Sequence, residues 1–153
     1  MPIPQPASGS SPELLELGRA ECLRLLAGAA IGRVVFTQAA MPAAHPVNFL
    51  LDGEEIVFRT GAGGVLLAAL NGVVVGFQAD DVDPGAATGW SVLAVGQAYE
   101  ITAPRRLDGL EGRLPTPWAP GRTGYTLCIP AQRLTGRLLS RGCAGERHPA
   151  GRR

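Results

Sequence analysis

The chain contains no lysine: all fourteen basic residues among its 153 are arginine. Thirteen acidic residues leave a formal net charge of +1. So even a balance predicts neither a nucleic-acid footprint nor a polybasic membrane patch. Aromatic residues are scarce, at 5%, and the only tryptophans are Trp90 and Trp118. There are two histidines, His45 and His148, and no G-x-S-x-G elbow, so hydrolase chemistry has no motif to stand on. The three cysteines, Cys22, Cys128 and Cys143, are odd in number and lack C-x-x-C spacing. That argues against a disulfide framework and a zinc site, and for thiols in a reducing compartment. No apolar run approaches the roughly 20 residues that span a bilayer. The opening "MPIPQPASGSSP" has neither a charged nor an apolar leader region. The expectation is a cytoplasmic protein with no signal peptide.

What is present is mostly β-like. Residues 1–11 are Pro/Ser-rich and predict a disordered segment. Ser11, Pro12 and Glu13 read as a helix start, with Gly18 breaking it, and a second helical pattern around Cys22, Leu25 and Leu26 stops near Gly28. The period then changes. "IGRVVFTQ", "PAAHPVNFLL" and "EEIVFRT" alternate as strands separated by short turns, which predicts antiparallel hairpins. A short helix over Leu66–Leu70 ends at Asn71-Gly72. Further strands follow over Val73–Ala79, Trp90–Ala103 and Tyr125–Leu139. "DDVDPGAATG" reads as a solvated loop, because it offers too few oxygen ligands for a metal site. Residues 104–123 read as a helix-poor connection and residues 140–153 as a disordered polar tail. The fold class is α+β, mainly β with flanking helices, and a barrel of six or seven antiparallel strands over 12–139 is favoured over a doubly wound sheet.

The stretch "FRTGAGGVL", Phe58 to Leu66, imitates a dinucleotide-binding turn. A strand runs into Gly61 and Gly63, a helix follows, and Asp80 stands about where a ribose-binding acid belongs. The imitation fails on three counts. Leu66 occupies the third glycine position. The helix is only about 10 Å long at 1.5 Å per residue, whereas a parallel crossover needs more chain. No further βα units follow.

The segments "ECLRLLAGAAIGRVVFT", "HPVNFLLDGEEIVFRTGAGGVLLAAL", "VVVGFQADDVDPGAATGWSVLAVGQAYEIT" and "PWAPG" with "YTLCIPAQRLTGRLL" together resemble the pyridoxamine 5'-phosphate oxidase-like family, in particular its short actinobacterial-type members. The resemblance covers about Glu21 to Leu139 and rests on the order and spacing of these segments. It implies a six-stranded antiparallel split β-barrel, a homodimer, and FMN at the subunit interface with both chains lining the pocket. It also implies the site. Pro46, Val47 and Asn48 match a strand that passes along the flavin ring. Arg59 and Thr60 match the segment that meets the ribityl phosphate, Arg59 offering a forked cation and Thr60 a hydroxyl. Gly63 and Gly64 allow backbone N–H groups to approach, with a helix start behind them. Trp90 and Ser91 match a strand start near the flavin, and Trp118 a late segment that covers the pocket.

One departure stands out. The family usually places a cation at the position of Val65, and this chain has no lysine anywhere. Losing one charge-assisted contact costs about 1.5–3 kcal/mol, or ten- to a hundredfold in affinity. Arg33, Arg122 or Arg137, or an arginine of the partner chain, are candidates to compensate. The departure also makes a deazaflavin coenzyme an alternative to FMN. The resemblance thus implies a flavin-dependent oxidoreductase transferring hydride to or from a small-molecule substrate. The same fold allows two other readings: a flavin- or haem-binding or storage protein without turnover, and a member that has lost its cofactor. His45 reads either as a flavin contact or as a half-exposed strand histidine, and Trp90 and Trp118 as flavin contacts or packing residues. Cys22 and Cys128 fall on apolar patterns and read as core.

Overall fold

The computed structural model describes residues 12–61, 64–115 and 123–141. Ten strands and three helices run through them: β1 (Pro12–Leu17), α1 (Arg19–Gly28), β2 (Ile31–Gln38), β3 (Met41–Asn48), β4 (Leu50–Asp52), β5 (Glu55–Gly61), α2 (Val65–Leu70), β6 (Val74–Asp83), β7 (Thr88–Gln97), β8 (Tyr99–Glu100), α3 (Pro104–Leu110), β9 (Thr123–Pro130) and β10 (Arg133–Arg141). They form a six-stranded sheet, ordered β1-β10-β7-β6-β2-β3, and a four-stranded sheet, ordered β4-β5-β9-β8. Every strand pair is antiparallel. This is the mainly β, antiparallel split barrel that the sequence led us to expect, built from more and shorter strands.

The core lies between the two sheets. All four phenylalanines are buried. Phe49 meets Phe77 edge to face at 4.7 Å. The sheets touch where β7 crosses β9. There a Cβ on Gly96 would lie 1.8 Å from the carbonyl oxygen of Pro130, so only glycine permits the approach. Residues 48–50 change sheets. β3 pairs with β2 up to Asn48, Phe49 turns inward, and β4 pairs with β5 from Leu50. The Phe49 amide donates to the carbonyl of Ala30 at 3.3 Å, which fixes the crossing.

Three expectations are corrected. The segment after Ser11 is a strand, β1, and not a helix. Six residues before Gly18 are too few for a stable isolated helix, whereas the edge of β10 offers them a full register from Pro12↔Arg141 to Leu17↔Gly136. Asp80 to Asp83 belong to a strand, because the β6–β7 ladder continues to Asp83↔Thr88. The turn itself is closed by Asp83, whose Oδ1 accepts from the amides of Gly85 (3.0 Å) and Ala86 (3.2 Å). Residues 104–110 form α3, with Pro104 in its first turn and Leu107 and Leu110 packed on Val57, Ile101 and Cys128. The disorder expected of residues 1–11 falls outside the described residues, as does that of 142–153, while Ser140 and Arg141 are the last residues of β10.

A polar network fastens α3 to the smaller sheet. Arg106 ion-pairs with Glu55 and, at 3.7 Å, with Asp52, and it donates to the Tyr99 hydroxyl. The Tyr99 hydroxyl in turn donates to Glu55 Oε1 at 3.2 Å. Burial, reinforced by the neighbouring Cys128 thiol and opposed by Arg106, pushes the Tyr99 phenol up to about 12. Burial also pushes the Cys22 and Cys128 thiols up.

These shifts set the alkaline stability. The unfolded chain loses the Tyr99 proton near pH 10, while the folded chain keeps it to about pH 12. Over that window the unfolded state binds fewer protons, so stability falls as pH rises. No lysine titration masks the effect. Denaturant unfolding between pH 9 and 12 is therefore expected to show a steep loss of stability above pH 10. Tyr99→Phe is expected to flatten that limb while lowering stability at neutral pH. An equally steep limb in the variant would contradict the assignment.

Candidate functional site

The change of sheets at Phe49 opens a wedge. β3 is the outer strand of its sheet. β4 covers only Glu55, Ile56 and Val57 of β5, so the rest of β5 has no strand neighbour on that side among the described residues. Between β3, the end of β5 and α2 lies a cavity of about 430 Å³, within the usual size range of small-molecule sites. Its walls are Phe36 and Gln38 from β2, His45 to Asn48 from β3, Arg59 to Gly61 from β5, and Gly64, Val65, Leu66 and Ala69 at and within α2.

The lining follows from local structure. Strand alternation puts His45 and Val47 on one face, beside Phe36 on the paired strand. His45 stacks edge-on against Phe36, ring centroids 5.2 Å apart. Gly64 caps α2 with φ of +67°, and a Cβ there would already touch the Tyr125 ring at 3.4 Å. Glycine therefore lets the turn close over β9 without strain. Thr60 is only 4% exposed, and its hydroxyl donates weakly to the carbonyls of Gly61 (3.4 Å) and Tyr125 (3.5 Å).

The charge pattern is simple. Among the described lining residues no carboxylate occurs, and Arg59 is the only arginine. The Arg59 side chain makes no hydrogen bond or ion pair with any described residue. A partly buried cation without a counter-ion suits an anionic group on a ligand. Val65 sits at the rim with 68% of its surface exposed. α2 has six residues, too few for its dipole to act as an anion site by itself.

The structure therefore gathers Pro46, Val47, Asn48, Arg59, Thr60, Gly64 and Val65 around one cavity. It does not bring Trp90 or Ser91 there. Trp90 borders a separate recess beside α1 with Arg24, Leu25 and Asp81. Ser91 lies on the outer face of the larger sheet and accepts from Gln78 Nε2 at 3.3 Å. Gly63 and Trp118 lie outside the described residues. Two of the proposed compensating arginines are also elsewhere: Arg33 pairs with Asp80 at 3.6 Å, and Arg137 stands opposite Ser91 and Glu16 in the larger sheet. Arg122 is outside the described residues. Phe36, Gln38, Gly61, Leu66 and Ala69 were missed by the sequence reading. The signal for Phe36 was its hairpin register, which places it opposite Ala43 and next to His45.

Comparison with known proteins agrees with this architecture. A family model described as pyridoxamine 5'-phosphate oxidase matches residues 18–138. The chain is 39% identical over 132 residues to the uncharacterized protein Rv0080 of Mycobacterium tuberculosis, covering 83% of this chain and 86% of that one. Among solved structures, it is similar to an FAD binding protein from Mycobacterium smegmatis, with a TM-score of 0.66 and 26% identity over 84% of this chain and 100% of the other. It is also similar to a conserved protein of unknown function from Corynebacterium diphtheriae, with a TM-score of 0.70 and 27% identity over 83% of this chain and 98% of the other. The split barrel, the wedge beside β3 and a family match across most of the sequence lead to one conclusion: the chain belongs to the pyridoxamine 5'-phosphate oxidase family.

Proposed function

We propose that this chain is a homodimeric flavin-dependent oxidoreductase that binds the FMN unit of its cofactor in the cavity between β3, β5 and α2, with a deazaflavin coenzyme as the alternative. The observation that carries the reading is the pairing of apolar walls with one cation, Arg59, that has no partner among the described residues. The residues fit the group. Phe36, Val47 and Leu66 offer apolar surface to a flat ring system, and β3, as an outer strand, has one backbone edge available to ring heteroatoms. Arg59 and the Thr60 hydroxyl offer donors to a phosphate. The similarity to an FAD binding protein supports a flavin rather than another anion.

When bound, the flavin supplies the hydride-accepting and hydride-donating chemistry. The chain's own residues do the rest. β3 orients the ring, Arg59 anchors the anionic end, and Phe36 and Val47 exclude water. No carboxylate in the described lining competes with the ligand's negative charge.

Dimerisation has its own support. The outer face of the larger sheet carries Val35 and Leu93, both 40% exposed, on either side of Gly76. It also carries Val74, which is more exposed. An exposed apolar patch of this kind on a sheet marks an interaction surface. It runs to Ala44 and Pro46 on β3, so a second copy seated there reaches the rim of the cavity. In such a dimer Ser91 lies at the interface rather than in its own chain's cavity.

Two outcomes test this reading. Arg59→Ala is expected to weaken FMN binding about ten- to a hundredfold, the value of about 1.5–3 kcal/mol for a charge-assisted contact. Fluorescence titration of both proteins measures it, and unchanged affinity would show that the phosphate is held elsewhere. Leu93→Glu is expected to convert a dimer to monomers in sedimentation equilibrium, because it buries a charge in the apolar patch. A dimer of undiminished stability would mean that a different surface is used.

A further inference from the structure

Among the described lining residues, His45 is the one whose charge can change near neutral pH. It lines the cavity from β3, and Arg59 lines it from β5. The two walls part at Phe49. His45 is three residues before Asn48, the end of β3 at that apex. Arg59 is two residues past Val57, the last residue of β5 that β4 covers. At about 3.3 Å per residue these are about 10 Å and 7 Å along the strands. The imidazole and the guanidinium therefore belong to opposite walls at similar depth.

The His45 ring is held in place without being neutralised. A residue before proline is confined to extended backbone, and Pro46 follows. The register sets His45 opposite Val34, and its ring leans edge-on against Phe36. His45 stays exposed to the cavity and makes no hydrogen bond or ion pair with a described residue. The described groups that face it are few. From β2 they are Val34, Phe36 and Gln38, all uncharged. Arg33 is on the other face of β2, paired with Asp80. From β5 the charged group is Arg59, and α2 presents Val65, Leu66 and Ala69.

An imidazole takes up its proton near pH 6.5. Doing so across from an arginine is opposed by like charge, and an anion seated between the two reverses that opposition. Proton and anion then favour each other's binding, by the same factor in both directions. We propose that His45 is an anion-binding residue of this cavity, and that ligand binding there is coupled to uptake of one proton by its imidazole. The ligand class is a flat molecule that bears an acidic group. This inference shares the cavity of the flavin reading but not its flavin, since any such anion draws the proton, whether it belongs to a cofactor or to a substrate.

The test titrates the full chain with naphthalene sulfonate. Its charge is the same at pH 5 and pH 8, whereas the phosphate of FMN gains a proton near pH 6. Binding is expected to be about threefold tighter at pH 5 than at pH 8, the size of a partly screened charge pair. Imidazole resonances followed by NMR are expected to show the His45 pKa raised by about 0.5 in the complex, which is the same threefold by linkage. His45→Gln identifies those resonances, and His148→Gln does so in a chain whose cavity is unaltered. In His45→Gln the affinity at pH 8 is expected to stay and its pH dependence to vanish. A pKa that the ligand leaves unchanged or lowers overturns the inference. So does a variant that keeps the pH dependence of the unaltered chain, or no binding of the sulfonate at either pH. Flavin binding beside any of these failures leaves the flavin reading intact. The expected rise with the sulfonate, and no binding of any flavin, overturns the flavin reading alone.

Discussion

The site depends on one packing constraint, the inward turn of Phe49. Its ring is held in the core against Phe77, and its amide is tied to Ala30. The chain before it must pair with β2, and the chain after it must pair with β5. β3 and β4 diverge from this apex, and the cavity lies where β4 ends, between β3, the end of β5 and α2. Glycine at position 96 complements the constraint on the far side, where it lets the two sheets meet backbone to backbone. The barrel is therefore closed at one seam and open at another, and the open seam presents backbone edges rather than packed side chains.

The electrostatics of that seam follow from the absence of lysine and the scarcity of charge. Five of the ten described arginines are matched: Arg19 with Glu54, Arg24 with Glu21, Arg33 with Asp80, and Arg106 and Arg113 with Asp52. Arg59 is the exception among the residues that line the cavity. Leaving a partly buried cation unmatched costs stability, and a cost of this kind at a concave site is better explained by a ligand than by packing. Among the described lining residues Arg59 is the one cation, and Val65 stands exposed at the rim, where the family resemblance implies a second.

Much of this was legible in the sequence, for physical reasons. Strand alternation and turn residues revealed β2, β5 and the first part of β6, and read β3 and β4 as one run. The glycine turn and its six-residue helix excluded a parallel nucleotide fold. The cluster Pro46, Val47, Asn48, Arg59, Thr60 and Val65 came from the family resemblance, and the hairpin and the turn are what bring these residues around one cavity. What sequence did not reveal depended on distant partners. β1 becomes a strand only because β10, more than a hundred residues later, offers an edge. α3 forms because Leu107 and Leu110 find Cys128 and Ile101 to bury against. Trp90 and Ser91 occupy alternate faces of β7, and neither face meets this chain's cavity, which no local pattern can reveal.

The central claim is that a flavin occupies the wedge beside Phe49. Hydrogen–deuterium exchange read by mass spectrometry, with and without saturating flavin nucleotide, locates the ligand most directly. The account predicts slowed exchange over Met41–Asn48, Arg59–Gly61 and the first turn of α2, where backbone edges and donors line the cavity. Protection confined to the recess around Trp90, or no protection at all, would contradict it.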